Sequence, residues 1–86
     1  MQEFEKILKA LANQRRLAIL EYIKRVREAH VGEIAFAINA PFRSTSRHLR
    51  ILYAARLVVF EQRNNEIYYR LAGGTKIFVQ QLVLEL

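Results

Sequence analysis

The feature that most constrains this chain is a change of hydrophobic period near residue 57. Before that point, apolar residues recur every three or four positions, which is the period of an amphipathic helix. After it, β-branched and aromatic residues alternate with polar ones, which is the period of a half-buried strand. We therefore predict a mainly α fold that carries a β-hairpin.

Breaks in the helical pattern divide the chain into elements. Helices are predicted over about residues 2–12, 14–28, 31–38, 42–55 and 75–86. Asn13 is expected to cap the second helix, because its side-chain oxygen can accept from a free backbone N–H. Pro41 marks the start of the fourth helix, since proline is tolerated at the first helical position but not inside a helix.

The hairpin is predicted over residues 57–71. Asn64 and Asn65 tolerate positive φ and are expected to form its turn, which places Arg63 opposite Glu66. The buried face of the second strand is expected to consist of Ile67, Tyr69 and Leu71. A short helix, a tight turn, a longer helix and a hairpin, in this order, make a winged helix-turn-helix.

Length and composition exclude several classes of protein. The 86 residues form one domain, residues 1–86, because a second could not bury its own core. The absence of cysteine excludes disulfides and thiolate metal sites. No apolar run approaches the ~20 residues of a membrane helix, and the acidic start is unlike a secretory leader, so we expect a cytoplasmic protein. The net charge of +6 is expected to attract a polyanion, either nucleic acid or an anionic membrane.

The fourth predicted helix carries the strongest functional signal. Arg43, Arg47 and Arg50 stand at i, i+4 and i+7, which places three guanidinium groups on one face. An α-helix fits the major groove of DNA, where Arg binds guanine O6 and N7 with two hydrogen bonds. Ser44 and Ser46 flank this stripe with short hydroxyls, and His48 at its edge is expected to pack or to contact phosphate. The alternative is a solvated charged face without a ligand.

The tip of the hairpin is the second candidate contact. Arg63 and Asn64 lie there, and a wing tip usually touches phosphate or enters the minor groove. The equally weighted alternative is that Arg63 pairs with Glu66 across the hairpin and only fixes the register of the two strands. Neither histidine has an obvious second ligand nearby, and the chain has no Asp, Cys or phosphate-binding glycine loop, so we expect neither a metal or other cofactor nor enzyme activity.

Two segments resemble the ArsR/SmtB family of winged-helix repressors. Residues 9–20, KALANQRRLAIL, resemble its opening motif, and residues 44–52, STSRHLRIL, resemble its recognition helix. The resemblance covers about residues 4–72, including the wing strands. It implies a homodimer that binds an inverted repeat in double-stranded DNA and represses transcription. In such a dimer, residues 1–12 and 75–86 form the interface, residues 31–55 the helix-turn-helix and residues 57–71 the wing. The expected interface residues are Phe4, Leu8, Ile77, Phe78 and Leu82.

The resemblance stops at the positions where members of the family sense metals. Metal-sensing members open the third helix with Cys-Val-Cys, whereas this chain has His30, Val31 and Gly32, and residues 75–86 contain neither Asp nor His. We therefore expect a metal-independent repressor. Two alternatives stay open at this point: a winged-helix module that binds protein, and an RNA-binding protein. The three arginines on one face of the fourth helix disfavour a protein-binding module. Most aromatic residues stand at core spacing, which disfavours the stacking platforms of an RNA-binding protein.

Overall fold

The computed structural model describes residues 2–73, which form four helices and three strands. The elements are α1 (Gln2–Leu11), α2 (Gln14–Val26), β1 (Ala29–His30), α3 (Val31–Ala37), α4 (Phe42–Ala54), β2 (Val58–Arg63) and β3 (Glu66–Leu71). The first four predicted helices and the predicted hairpin are therefore confirmed, with ends that differ by at most two residues. The helix predicted over residues 75–86 lies outside the described residues.

The ends of the helices follow from local chemistry. The Asn13 side chain accepts a hydrogen bond from the backbone N–H of Arg16 at 3.0 Å, so the predicted cap of α2 is confirmed. Between α3 and α4, Asn39 takes a left-handed conformation with φ of 56°, which asparagine tolerates better than most residues. Pro41 then precedes the first residue of α4, where its missing N–H costs no intrahelical bond.

The sheet has one strand more than the sequence predicts. β2 and β3 form an antiparallel hairpin in which Arg63 lies opposite Glu66, as predicted, and Asn64 in the turn has φ of 56°. The two-residue strand β1 pairs with the other edge of β3, so the strand order is β1-β3-β2. A strand of two residues is too short to show an alternating pattern, and sequence periodicity could not reveal it.

A single apolar core joins the helices to the sheet. The largest fully buried side chains are Ile19, Leu20, Ile23, Ile34, Leu49, Leu52, Leu57, Val58 and Thr45. On the predicted inner face of β3, Tyr69 and Leu71 are buried, but the prediction for Ile67 is wrong, since it is 37% exposed. Ile67 is the second residue of β3, next to the hairpin turn, where the ribbon extends beyond the core. None of the helices within residues 2–73 combines the length and apolar character needed to cross a membrane.

Candidate nucleic-acid interface

The orientation of α4 is set by three side chains that it buries. Thr45, Leu49 and Leu52 are each 0% exposed and face the core. Since successive helical residues are rotated by about 100°, the opposite face of the helix must carry the basic residues. Arg43, Arg47 and Arg50 are indeed all exposed. We call these three residues the arginine stripe; the core packing of α4 turns it toward solvent.

The two serines beside the arginine stripe are half-buried. The Ser44 hydroxyl donates to the carbonyl oxygen of Pro41 at 3.2 Å, one turn earlier in the chain. Its proton is therefore used within the helix, and its lone pairs stay available to accept. Ser46 sits one position before Arg47, on the flank of the stripe.

His48 faces the protein on the other flank of α4. Nη1 of Arg16 lies 3.1 Å from His48 Nδ1. Because a guanidinium only donates, Nδ1 is the acceptor and the ring proton resides on Nε2. Burial first, and then the charges of Arg16, Arg47 and Arg15, lower the pKa of His48 below its usual value. His48 is thus a half-buried packing residue held neutral, which is one of the two roles expected for it.

Arg16 extends this contact to the first helix. Its Nε donates to the carbonyl oxygen of Ala10 at 2.6 Å, and its Nη2 donates to that of Lys9 at 3.2 Å. The guanidinium therefore satisfies carbonyls at the C-terminal end of α1 while it holds the imidazole of α4. Sequence reasoning missed this link, because Arg16 and His48 are 32 positions apart and no local pattern joins them.

Arg63 on the wing is engaged by carboxylates. Its two terminal nitrogens donate to the two oxygens of Glu28 at 2.9 and 2.5 Å, and Nη2 also lies 3.1 Å from Glu61. The guanidinium lies 4.7 Å from the centre of the Tyr68 ring. These hydrogen bonds raise the pKa of Arg63 above its usual value. The carboxylate of Glu66 lies near His30 instead, 3.4 Å from Nδ1.

This network changes how the wing is interpreted. Arg63 and Glu66 are opposite in register, but the carboxylates bonded to Arg63 are those of Glu28 and Glu61. Sequence reasoning missed Glu28, which lies 35 positions away on the segment between α2 and β1. Phosphate contact by Arg63 stays a prediction, and it would have to compete with two bound carboxylates. Asn64 is exposed at the tip.

Aromatic rings fix the wing against α4. The rings of Tyr53 and Phe60 are 4.9 Å apart between centroids, and those of Phe60 and Tyr69 are 5.6 Å apart. Tyr53 is on the last turn of α4, Phe60 on β2 and Tyr69 on β3, so this chain of contacts crosses both strands. The helix that carries the arginine stripe and the wing are therefore held in a defined relation.

The first helix presents an apolar surface. Phe4 and Leu8 lie one turn apart on α1 and are each 49% exposed. Both were predicted as interface residues, and their exposure leaves apolar area available for a partner. The other three predicted interface residues, Ile77, Phe78 and Leu82, lie outside the described residues.

His30 caps the first helix of the helix-turn-helix. Its Nδ1 accepts from the backbone N–H of Glu33 at 3.2 Å, and its ring meets that of Tyr68 edge-on at 5.4 Å. Across residues 2–73, no three His, Cys, Asp or Glu side chains are grouped so that they could hold a metal ion. His30, which stands where the resemblance predicts a metal-sensing cysteine, therefore serves as the N-cap of α3.

Comparisons with known proteins agree with this architecture. Residues 13–59 match the model of the bacterial regulatory proteins of the arsR family. The chain is 38% identical over 66 residues to the HTH-type transcriptional repressor SmtB of Mycobacterium tuberculosis, an alignment that covers 77% of this chain and 48% of that protein. The chain thus spans about half the length of the curated relatives it matches.

Solved structures show the same fold. The homodimeric winged helix-turn-helix DNA-binding domain of a possible ArsR-family regulator from Mycobacterium bovis is 32% identical, with a TM-score of 0.84 over 98% of this chain and 74% of that one. The transcriptional repressor BigR of Xylella fastidiosa is 27% identical, with a TM-score of 0.84 over 99% and 83%. With its winged helix-turn-helix and the family match over residues 13–59, this chain belongs to the arsR family of bacterial regulatory proteins.

Proposed function

We propose that this chain is a transcriptional repressor that binds an inverted-repeat operator in double-stranded DNA as a homodimer. The observation that carries the proposal is the arginine stripe, three exposed guanidinium groups on a helix whose opposite face is fully buried. A helix of this kind fits the major groove, and arginine is the commonest reader of guanine there. The similarity to DNA-binding regulators of the arsR family also supports this proposal.

Dimerisation is proposed through α1 together with residues 75–86. The exposed apolar pair Phe4 and Leu8 supplies one half of such an interface, and covering it removes apolar surface from water. A related domain from Mycobacterium bovis is homodimeric. Two-fold symmetry would place the paired α4 helices about one turn of DNA apart, roughly 34 Å, and the operator half-sites ~10–11 bp apart.

Within each half-site we assign different tasks to different residues. Arg47, in the middle of the arginine stripe, is assigned the main base contact, followed by Arg43. Ser44 and Ser46 are proposed to help with hydrogen bonds to base edges or phosphate. The assigned phosphate contacts are Arg50, Arg63 and Asn64. His48 is proposed to support the interface mainly by holding α4 through Arg16.

Substitution of Arg47 by alanine tests this assignment. Losing an Arg–guanine contact costs ~1–3 kcal/mol and relaxes preference at one base pair. Arg47→Ala should therefore reduce the ratio of operator affinity to random-DNA affinity, measured by fluorescence anisotropy at several salt concentrations. Arg25→Ala is the matched control, because Arg25 is an exposed arginine on α2. An unchanged ratio in both Arg47→Ala and Arg43→Ala would contradict the assignment.

Substitution of Arg63 by alanine tests its assignment as a phosphate contact. A side chain that contacts only phosphate weakens binding to all sequences alike and lowers the salt slope by about one per contact. Arg63→Ala is expected to weaken operator and random DNA together. If its only task is the bond to Glu28, DNA affinity will instead be unchanged while the stability of the protein falls.

We propose that DNA binding is independent of metal ions. The proposal rests on the missing cysteines at residues 30–32 and on the use of His30 Nδ1 as a helix cap. Adding zinc, cadmium or arsenite at micromolar concentration should leave operator affinity unchanged in the same anisotropy assay. Release of DNA by one of these ions, reversed by a chelator, would contradict it.

We propose that residues 1–86 act as one DNA-binding domain without enzymatic activity, and that the protein works in the cytoplasm, where bacterial DNA is accessible. Its partners are then duplex DNA and a second copy of itself.

A further inference from the structure

We propose that Phe42 reads the 5-methyl group of a thymine in the operator, an inference that rests on the DNA-binding function proposed above. Phe42 is the first residue of α4 and is 60% exposed. It is one residue before Arg43, so its ring lies at the N-terminal end of the helix that carries the arginine stripe, rotated by about 100° around the helix from Arg43. Its ring can contact phosphate neither by charge nor by hydrogen bonding, and it is more exposed than Ile51, a second apolar side chain on α4, which is 38% exposed.

The geometry of α4 places Phe42 on an open flank of the helix. Residues four apart share a side of a helix, so Phe42 lies on the same side as Ser46, which is half-buried beside the arginine stripe. On the other flank, His48 packs against Arg16 of α2. A groove that receives the arginine stripe therefore also meets the ring of Phe42.

The chemistry of the major groove identifies the ligand. The C5-methyl of thymine is the apolar group that base pairs present there, and apolar side chains such as Phe distinguish thymine by contact with it. In helix-turn-helix proteins the N-terminal residues of the recognition helix are those that reach base edges. Phe42 has the chemistry for the methyl group, and it stands at that end of the helix. The three positive charges beside it favour DNA over an apolar protein partner.

Phe36 provides the comparison within the same molecule. It is 90% exposed, near the C-terminal end of α3. It belongs to the helix that precedes the turn, not to the helix placed in the groove. A general effect of removing an exposed aromatic ring would appear at both positions, whereas reading of a thymine methyl would appear at Phe42 alone.

The test is a cycle that removes one group from each partner. The DNA is the operator selected by the intact protein, with deoxyuridine substituted for thymine one position at a time, since deoxyuridine lacks only the methyl group. For the intact protein, losing one methyl group should lower affinity about fourfold, the value expected for one methyl group buried against apolar surface, and the same substitution in both half-sites should lower it about sixteenfold. Phe42→Ala should have the same affinity for the operator with thymine at that position and for the operator with deoxyuridine there. Phe36→Ala should keep the full difference.

The outcomes separate this inference from the function beneath it. If no thymine shows methyl dependence, or if Phe42→Ala keeps the whole difference, the assignment to Phe42 is overturned while operator binding stands. Loss of the difference in Phe36→Ala as well would also overturn it. If the intact protein selects no duplex sequence, the proposed function itself fails. Should Phe42→Ala fold poorly by circular dichroism, Phe42→Leu replaces it, and the methyl dependence should then be reduced.

Discussion

Replacing Thr45 by valine should stabilise this protein. Thr45 is 0% exposed on the inner face of α4, and its hydroxyl has no hydrogen-bond partner among the residues that the structure describes. A buried hydroxyl without a partner costs ~1–3 kcal/mol. Valine has nearly the same shape, removes the hydroxyl and has a similar helix propensity. We therefore expect the free energy of unfolding to rise by about 1 kcal/mol or more.

Urea unfolding followed by circular dichroism measures this change. Protein concentration must be the same for all variants, because the apparent stability of a dimer depends on it. For a domain of 60–100 residues, each kcal/mol corresponds to roughly 4–8 °C in Tm, so a thermal melt provides an independent reading. Operator affinity should not change, since Thr45 faces away from the arginine stripe.

Thr45→Ser is the matched control. It keeps the hydroxyl and deletes the methyl group from the core, which should destabilise the protein by ~0.5–1.5 kcal/mol. Valine above wild type and serine below it is the expected order. If Thr45→Val is less stable than wild type, the hydroxyl makes a bond that matters, and the description of the inner face of α4 is wrong.

Two further predictions concern contacts that join distant elements. Glu28→Gln should lower the free energy of unfolding by about 1 kcal/mol or less, because the bidentate pair with Arg63 is partly exposed and screened by salt. This loss of stability should shrink in high salt. It should also exceed the loss caused by Glu61→Gln, since the Glu61 side chain is 53% exposed. His48 has a lowered pKa in the folded protein, so the unfolded chain binds the proton more tightly, and stability present above pH 6.5 should be lost as the pH falls through that value. His48→Gln should flatten this part of the stability profile in urea unfolding measured between pH 5 and 8, and an equally steep profile would contradict the assignment.

Local chemistry explains why much of the fold could be predicted from the sequence. The Asn13 cap depends on a residue three positions away, the inner face of α4 on a period of three to four, and the hairpin register on a two-residue turn. Each of these signals lies within one element or between neighbours in the chain. The arginine stripe was predictable for the same reason, because one helix carries all of it.

The contacts that could not be predicted join elements remote in the chain. Arg16 meets His48 across 32 positions, and Glu28 meets Arg63 across 35. Which charged side chains meet there depends on how α1, α2, α4 and the wing pack, and no spacing rule encodes that. The proposed task of Arg63 shows the consequence, since the sequence offered Glu66 as its partner and the structure gives Glu28 and Glu61.

Selection of bound duplexes from a random library tests the central claim most directly, because it measures DNA binding and sequence preference in one experiment. The intact protein should enrich an inverted repeat whose half-sites lie ~10–11 bp apart, centre to centre, as two α4 helices related by a two-fold axis require. Arg47→Ala, carried through the same selection, should lose preference at one base pair of each half-site. Recovery of a library without any enriched sequence would contradict the assignment of this chain as an operator-binding repressor.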